Sequence, residues 1–140
     1  MKKLILILLM VLAITSTSVS VFAQDISNDK VIAYYFYGKV RCYTCNMMEK
    51  LTKEAIENNF KNALVSGKLE FKAVNIEERG NEHFVNDYKL YTRSVILSLV
   101  KGNKEIKSKN LEKIWKLSRN KQKFIDYVSE EINNLLKELQ

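Results

Sequence analysis

The sequence predicts an α/β fold, a mixed four-stranded sheet layered between helices in the order β-α-β-α-β-β-α. Two observations carry that expectation. Apolar runs of strand length alternate with longer stretches of helical period, and 140 residues make one domain of ordinary size with no room for a second. Composition agrees: apolar residues are 46% and charged residues 28% of the chain, proportions that exclude a disordered or collagen-like protein. Proline is absent, which excludes Pro-rich linkers and polyproline ligand segments.

Val31 to Tyr37 (VIAYYFY) is a continuous apolar and aromatic run ending at Gly38, and it predicts a strand buried on both faces. From Tyr43 to Leu64 the residues Met47, Met48, Leu51, Ala55, Ile56, Phe60, Ala63 and Leu64 recur three and four apart, the helical period, until Ser66 and Gly67 stop the helix. Leu69 to Ile76 alternates Leu69, Phe71 and Ala73 with Glu70 and Lys72, a second strand. Asn81 to Tyr88 is expected as a short helix capped by Asn81, with Phe84, Val85 and Tyr88 on its apolar face. Val95 to Val100 predicts the third strand, and Lys101, Gly102 and Asn103 form a tight turn into a polar, edge-like fourth strand near Lys104 to Lys109. Ile114, Trp115 and Leu117 are expected to pack against the sheet. Asn120 to Leu139 carries Phe124, Ile125, Val128, Ile132, Leu135, Leu136 and Leu139 on one helical stripe. Each helical crossover is expected to bring its strand back parallel, which leaves only the final hairpin antiparallel. Residues 24–30 read as a flexible lead-in.

The first 23 residues have the pattern of an export signal. Lys2 and Lys3 precede an eleven-residue apolar run, Leu4 to Ile14, which is short for a membrane span, and Val21-Phe22-Ala23 sets small residues where a signal peptidase accepts them. Cleavage before Gln24 is expected, leaving residues 24–140 as one domain; an uncleaved N-terminal anchor is the alternative. No cysteine follows that site, which argues against a lipoprotein. The expected address is outside the cytoplasm, the periplasm if the source is Gram-negative, where disulfides persist.

Formal charge is +7, from 23 Lys and Arg against 16 Asp and Glu, and +5 without Lys2 and Lys3. Nine basic residues (Lys101, Lys104, Lys107, Lys109, Lys113, Lys116, Arg119, Lys121 and Lys123) fall in one stretch that holds only Glu105 and Glu112 as acids. Such a stretch steers an acidic partner, touches anionic lipid head groups or is simply a solvated face. No aromatic-and-basic nucleic-acid module is present, so nucleic acid is not an expected partner.

Both cysteines lie in Cys42-Tyr43-Thr44-Cys45, after the first strand and at the start of the first helix. Side chains three apart at a helix start are neighbours, so this pair can pass between dithiol and disulfide with little backbone movement. Free amides and the positive end of the helix dipole favour a thiolate at Cys42, to which Arg41 and Lys39 are expected to add positive charge. A lowered thiol pKa gives a better nucleophile and leaving group, and Cys45, one turn inside, is expected to be the more shielded sulfur. The residues alone leave three uses open. Redox exchange is one. A structural staple is another, although so short a loop constrains the unfolded chain little. The third is metal capture: zinc needs about four ligands and finds two cysteines and His83, whereas Cu(I) on Cys42, Cys45 and the thioether of Met47 or Met48, as in a metallochaperone-like module, is the sharper alternative. His83 itself is expected as a solvated helix residue.

The element order, with CxxC between the first strand and first helix, resembles the thioredoxin superfamily over about residues 31–139. That resemblance implies a thioredoxin-like three-layer sandwich and a thiol-disulfide oxidoreductase, with Cys42 as nucleophile and Cys45 as resolving cysteine. Tyr88 to Leu99 (YKLYTRSVILSL) is similar to the family segment that leads into the third strand. Where the family carries Trp before the first cysteine, Gly-Pro between the two, and a cis-proline facing them, this chain has Arg41, Tyr43-Thr44 and Ser94. A non-proline cis bond costs about 3 kcal/mol, so the peptide before Ser94 is expected to be trans. By position, Arg41, Tyr43, Thr44, Arg93 and Ser94 are the expected substrate-binding residues. The family's buried acid has no evident counterpart in Val31 to Tyr37. The implied substrate is a disulfide-bearing protein or small molecule and the implied electron source a membrane thiol reductase, with no cofactor and no metal. A non-catalytic interaction domain on the same fold is the remaining alternative.

Overall fold

The computed structural model describes residues 28–139, so the expected leader of residues 1–23 and its cleavage site lie outside the described residues. β1 (Lys30–Tyr37) buries Val31, Ala33 and Tyr35 on one side and Ile32 and Phe36 on the other, as a strand covered on both faces must. It is followed by α1 (Tyr43–Asn59), the one-turn α2 (Lys61–Val65), β2 (Leu69–Asn75), α3 (His83–Asp87), β3 (Ser94–Lys101), β4 (Lys104–Asn110), the one-turn α4 (Ile114–Leu117) and α5 (Lys121–Lys137). The sheet order is β2-β1-β3-β4.

Met48, Leu51, Ala55 and Ile56 of α1 and Phe124, Val128 and Ile132 of α5 close over Val31, Ala33, Tyr35, Val95, Leu97 and Leu99 to make the main core. On the opposite face Phe36, Leu90 and Ile96 form a smaller core against Tyr34, Val74, Phe84 and Tyr88. The protein is therefore an α/β three-layer sandwich of the thioredoxin-like kind, with α1 and α5 on one face and α3 on the other. Each fully buried aliphatic or aromatic side chain contributes about 1.5–3 kcal/mol, so the two-helix face supplies most of the stability.

The direction of β3 departs from expectation. β1 pairs with β2 in parallel, but with β3 antiparallel. The registers Tyr37↔Asn75 and Phe36↔Ser94 put the end of β2 and the start of β3 at the same end of β1. A five-residue α3 rises about 7 Å, far short of the roughly 26 Å length of an eight-residue strand, so it cannot carry the chain back along the sheet. The helix covers the far core at one end and hands the chain to β3 in reverse. β3 and β4 then pair antiparallel through a two-residue turn in which Gly102 (φ 55) and Asn103 (φ 65) both take the left-handed conformation such turns require.

Smaller corrections have local causes. The first helix breaks at Phe60 (φ −130, ψ 31) after Asn58 and Asn59, poor helix formers, and the apolar period continues across the break because Phe60 is itself buried. Asn81 does not cap α3; its amide donates to the Asn75 carbonyl at 3.0 Å, and the helix begins two residues later at His83. Ala73 is exposed rather than buried, because β2 is an edge strand. Lys30 already pairs within β1, so the lead-in ends before it. α4 carries no period long enough to be seen in a sequence. Within it Ile114 is buried, whereas Trp115 is 39% exposed and does not pack against the sheet, since adjacent helical residues point about 100° apart.

Candidate functional site

The site stands at the end of the sheet where β1 gives way to α1. Cys42 is the N-cap of α1, with extended backbone (φ −83, ψ 163), and its Sγ accepts the Cys45 amide N–H at 3.1 Å. Sulfur here does the work that a Ser, Asp or Asn oxygen commonly does, satisfying one of the orphan donors of the first turn. Cys42 and Cys45 form a disulfide, with Cα atoms 5.0 Å apart. Cys42 is exposed, whereas Cys45 is only 3% exposed. An incoming group can reach the outer sulfur and is shut off from the inner one. α1 has no acidic residue in its first turn, so nothing there opposes negative charge on Cys42.

Beneath the pair lies Tyr35. This fully buried side chain on β1 donates its hydroxyl to the Cys45 carbonyl at 2.6 Å and so ties the first turn of α1 to the central strand. Burial pushes the phenol up to about 12, against the opposing pull of the Arg41 and Arg93 guanidinium groups. It therefore remains a hydrogen-bond donor across the physiological range. Tyr35 was legible as core and not as a partner of the dithiol; the available signal was its place on the odd-numbered face of β1, the face that α1 covers.

Arg41 is placed otherwise than expected. Its guanidinium pairs with Glu49 two turns along α1 and lies 4.1 Å from the centre of the Tyr37 ring. The carboxylate offsets its charge, and the side chain runs along the flank of the helix, so Arg41 does not supply the free cation anticipated next to Cys42. Lys39 is exposed. Arg93 bridges two loops: it donates to the Val40 carbonyl at 2.5 Å, and its own carbonyl accepts the Trp115 indole N–H at 3.0 Å. Among the described residues the buried Nε atoms of Arg41 and Arg93 find no hydrogen-bond partner, a cost of about 1–3 kcal/mol each that the rest of the fold must offset. Ser94 is 4% exposed and returns its hydroxyl to the Thr92 carbonyl, so its side chain faces its own loop; all described peptide bonds are trans. Tyr43 is 79% exposed and Thr44 half-buried.

Around this end are gathered four of the six large apolar side chains that the described residues expose: Val40, Tyr43, Tyr91 and Trp115. Val40 and Tyr43 flank the cysteines in sequence, and Arg93 connects Val40 with Trp115 and lies two residues from Tyr91. Clustering, rather than exposure alone, marks a contact surface. Of the proposed metal ligands, Met48 is fully buried in the main core and Met47 is half-buried beside α5; among the described residues no group of three His, Cys, Asp or Glu could hold a metal ion. His83 is exposed and pairs with Asp87.

No protein-family model matches the chain, and no curated protein does. Among solved structures it is similar to one described as a malarial protein, at 20% identity and a TM-score of 0.39, over 58% of this chain and 80% of that one. It is also similar to thioredoxin-2, described as a component of the malaria parasite's protein secretion machinery, at 16% identity and a TM-score of 0.39, over 65% of this chain and 82% of that one.

Proposed function

We propose that the protein is a thiol-disulfide oxidoreductase acting outside the cytoplasm. The observation that carries this reading is the asymmetry of one disulfide: an exposed Cys42, its sulfur supported by a helix-start amide, bonded to a Cys45 that is almost wholly buried. In the dithiol form the Cys42 thiolate attacks a substrate disulfide, forming a mixed disulfide and expelling one substrate thiolate. The Cys45 thiolate then attacks Cys42 Sγ, closes the intramolecular bridge and expels the second; each departing thiolate takes up a proton. Two electrons pass from the protein to its substrate. Run in reverse, a substrate dithiol attacks Cys42 Sγ of the disulfide, Cys45 leaves as thiolate, and the substrate is oxidised.

The surrounding residues fit a surface for the group that carries the substrate sulfur. Tyr43 and Thr44 border the outer sulfur, and Arg93 fixes the adjoining loops; Arg41 acts through Tyr37 and Glu49 in shaping the loop. An address beyond the membrane follows from the leader pattern of residues 1–23, and a membrane thiol reductase would then recharge the dithiol. Trapping tests the assigned order. The Cys45→Ala variant should accumulate a mixed disulfide with substrate, visible as a band lost on reduction, whereas Cys42→Ala should accumulate none. Equal trapping by both variants would sink the assignment.

A further inference from the structure

A groove opens beside the dithiol between the start of α1 and the corner that joins α4 to α5. Tyr43, Thr44, Met47 and Leu51 of α1 form one side, and Arg119 and Lys121 the other, enclosing about 500 Å³. The groove is continuous with the site, because Tyr43 and Thr44 are the two residues between the cysteines. Its lining is apolar apart from Thr44 on the α1 side and is Ser118 with the two basic side chains on the other, and no acidic residue belongs to it.

On that wall Lys121 is paired, whereas Arg119, among the described residues, has no ion-pair partner, and the basic stretch Lys101 to Lys123 is divided in the same way. Lys107 pairs with Glu138, Lys109 with Glu131 and Lys121 with Glu54; Lys101 donates to the Glu138 carbonyl, and Lys113 lies over the Tyr127 ring. Among the described residues, the side chains of Lys104, Lys116, Arg119 and Lys123 have no such partner; Lys104 is exposed at the start of β4, and the other three are exposed at the α4–α5 corner. Neither α1 nor α5 has an acidic residue in its first turn. Arg119 thus brings an unpaired positive charge to the lining of the groove, with Lys116 and Lys123 exposed on the same corner.

We infer that this groove docks an acidic polypeptide segment flanking the cysteine of the substrate, with apolar side chains against Tyr43 and Met47 and a carboxylate at Arg119. Arg119 is then the specificity-determining residue. The inference rests on the thiol-disulfide reading and narrows it to disulfides embedded in acidic chain.

A single-turnover assay tests it. Pre-reduced protein, freed of reductant, is mixed with either of two peptides of equal length. Each peptide holds its one cysteine in a mixed disulfide with thionitrobenzoate; Asp residues flank that cysteine in one and Lys residues in the other. Release of the coloured thiolate gives a second-order rate constant, divided for each peptide by its rate with dithiothreitol to remove intrinsic reactivity. The acidic peptide should react about fivefold faster at low ionic strength, the scale of an exposed charge pair, and the ratio should fall toward one in high salt. Arg119→Glu should invert the preference, and Arg119→Lys should retain it. A wild-type ratio of one, a preference for the Lys peptide, or a ratio unmoved by Arg119→Glu overturns the inference and leaves the redox reading standing. If neither peptide reacts, nor does neutral hydroxyethyl disulfide, the redox reading itself falls and takes the inference with it.

Discussion

At the level of single residues, the placement of the two sulfurs follows from local geometry. A cysteine at the N-cap and another three residues on must be neighbours, which the order of residues 42–45 is enough to say, whereas the burial of the second comes from the packing of α1 on β1. The electrostatic setting was not legible in the same way. Arg41 looked like a cation beside Cys42 because it is adjacent in sequence; its true partner, Glu49, is eight residues on and becomes a neighbour only when α1 is laid against the end of β1. Tyr35 was hidden for a similar reason, since its hydroxyl meets Cys45 across two elements. The Tyr35→Phe variant removes that donor and almost no volume. It should cost about 1 kcal/mol, the usual net worth of one hydrogen bond, and lower the melting temperature by about 4 °C in a domain of this size. Calorimetry of the oxidised protein checks this; an unchanged melting temperature would mean that the bond contributes nothing to holding α1.

Among the elements, strands and long helices were readable because period two and period 3.6 are properties of a segment, whereas strand direction is a property of the connection. The α3 segment was correctly expected to be helical, yet the direction of β3 turned on its being only five residues long. The edge between β1 and β2 offers an element-scale prediction. Glu70 on β2 takes hydrogen bonds from Lys30 of β1 at 2.8 Å and from Lys72 at 3.1 Å. Burial pushes its carboxyl up, but the two lysines outweigh burial and hold it below the ordinary 4.5. A carboxyl depressed in the folded state favours folding above its unfolded pKa, and that contribution disappears as pH falls through the folded value. Acid titration of stability should therefore show a drop below about pH 4.5 that is shallower in Glu70→Gln. Parallel curves for the two proteins would show that the pair adds no stability.

For the molecule as a whole, the core is divided unequally between the two faces of the sheet. α5 closes the larger core with Phe124, which is fully buried between helix and sheet. Phe124→Ala should cost about 3–5 kcal/mol, because the rigid neighbours cannot collapse into the space left. Chemical denaturation measures it, and a loss under 1 kcal/mol would contradict so tight a core. That α5 belongs to the core was plain from its apolar stripe. No pattern along the chain showed that Val40, Tyr43, Tyr91 and Trp115 would meet at one end, since they are drawn from three separate loops and helix starts. The basic stretch was equally opaque: of nine cations close in sequence, three find carboxylates on α5 and α1 once the chain is folded, and Lys116, Arg119 and Lys123 are left exposed at one corner.

The support given to Cys42 comes from the main chain at residue 45, and a peptide nitrogen neither gains nor loses a proton in ordinary water and cannot be deleted by changing a side chain. The two residues between the cysteines, and the one before them, are thus at liberty to alter in bulk and polarity while the same nitrogen still points at the same sulfur.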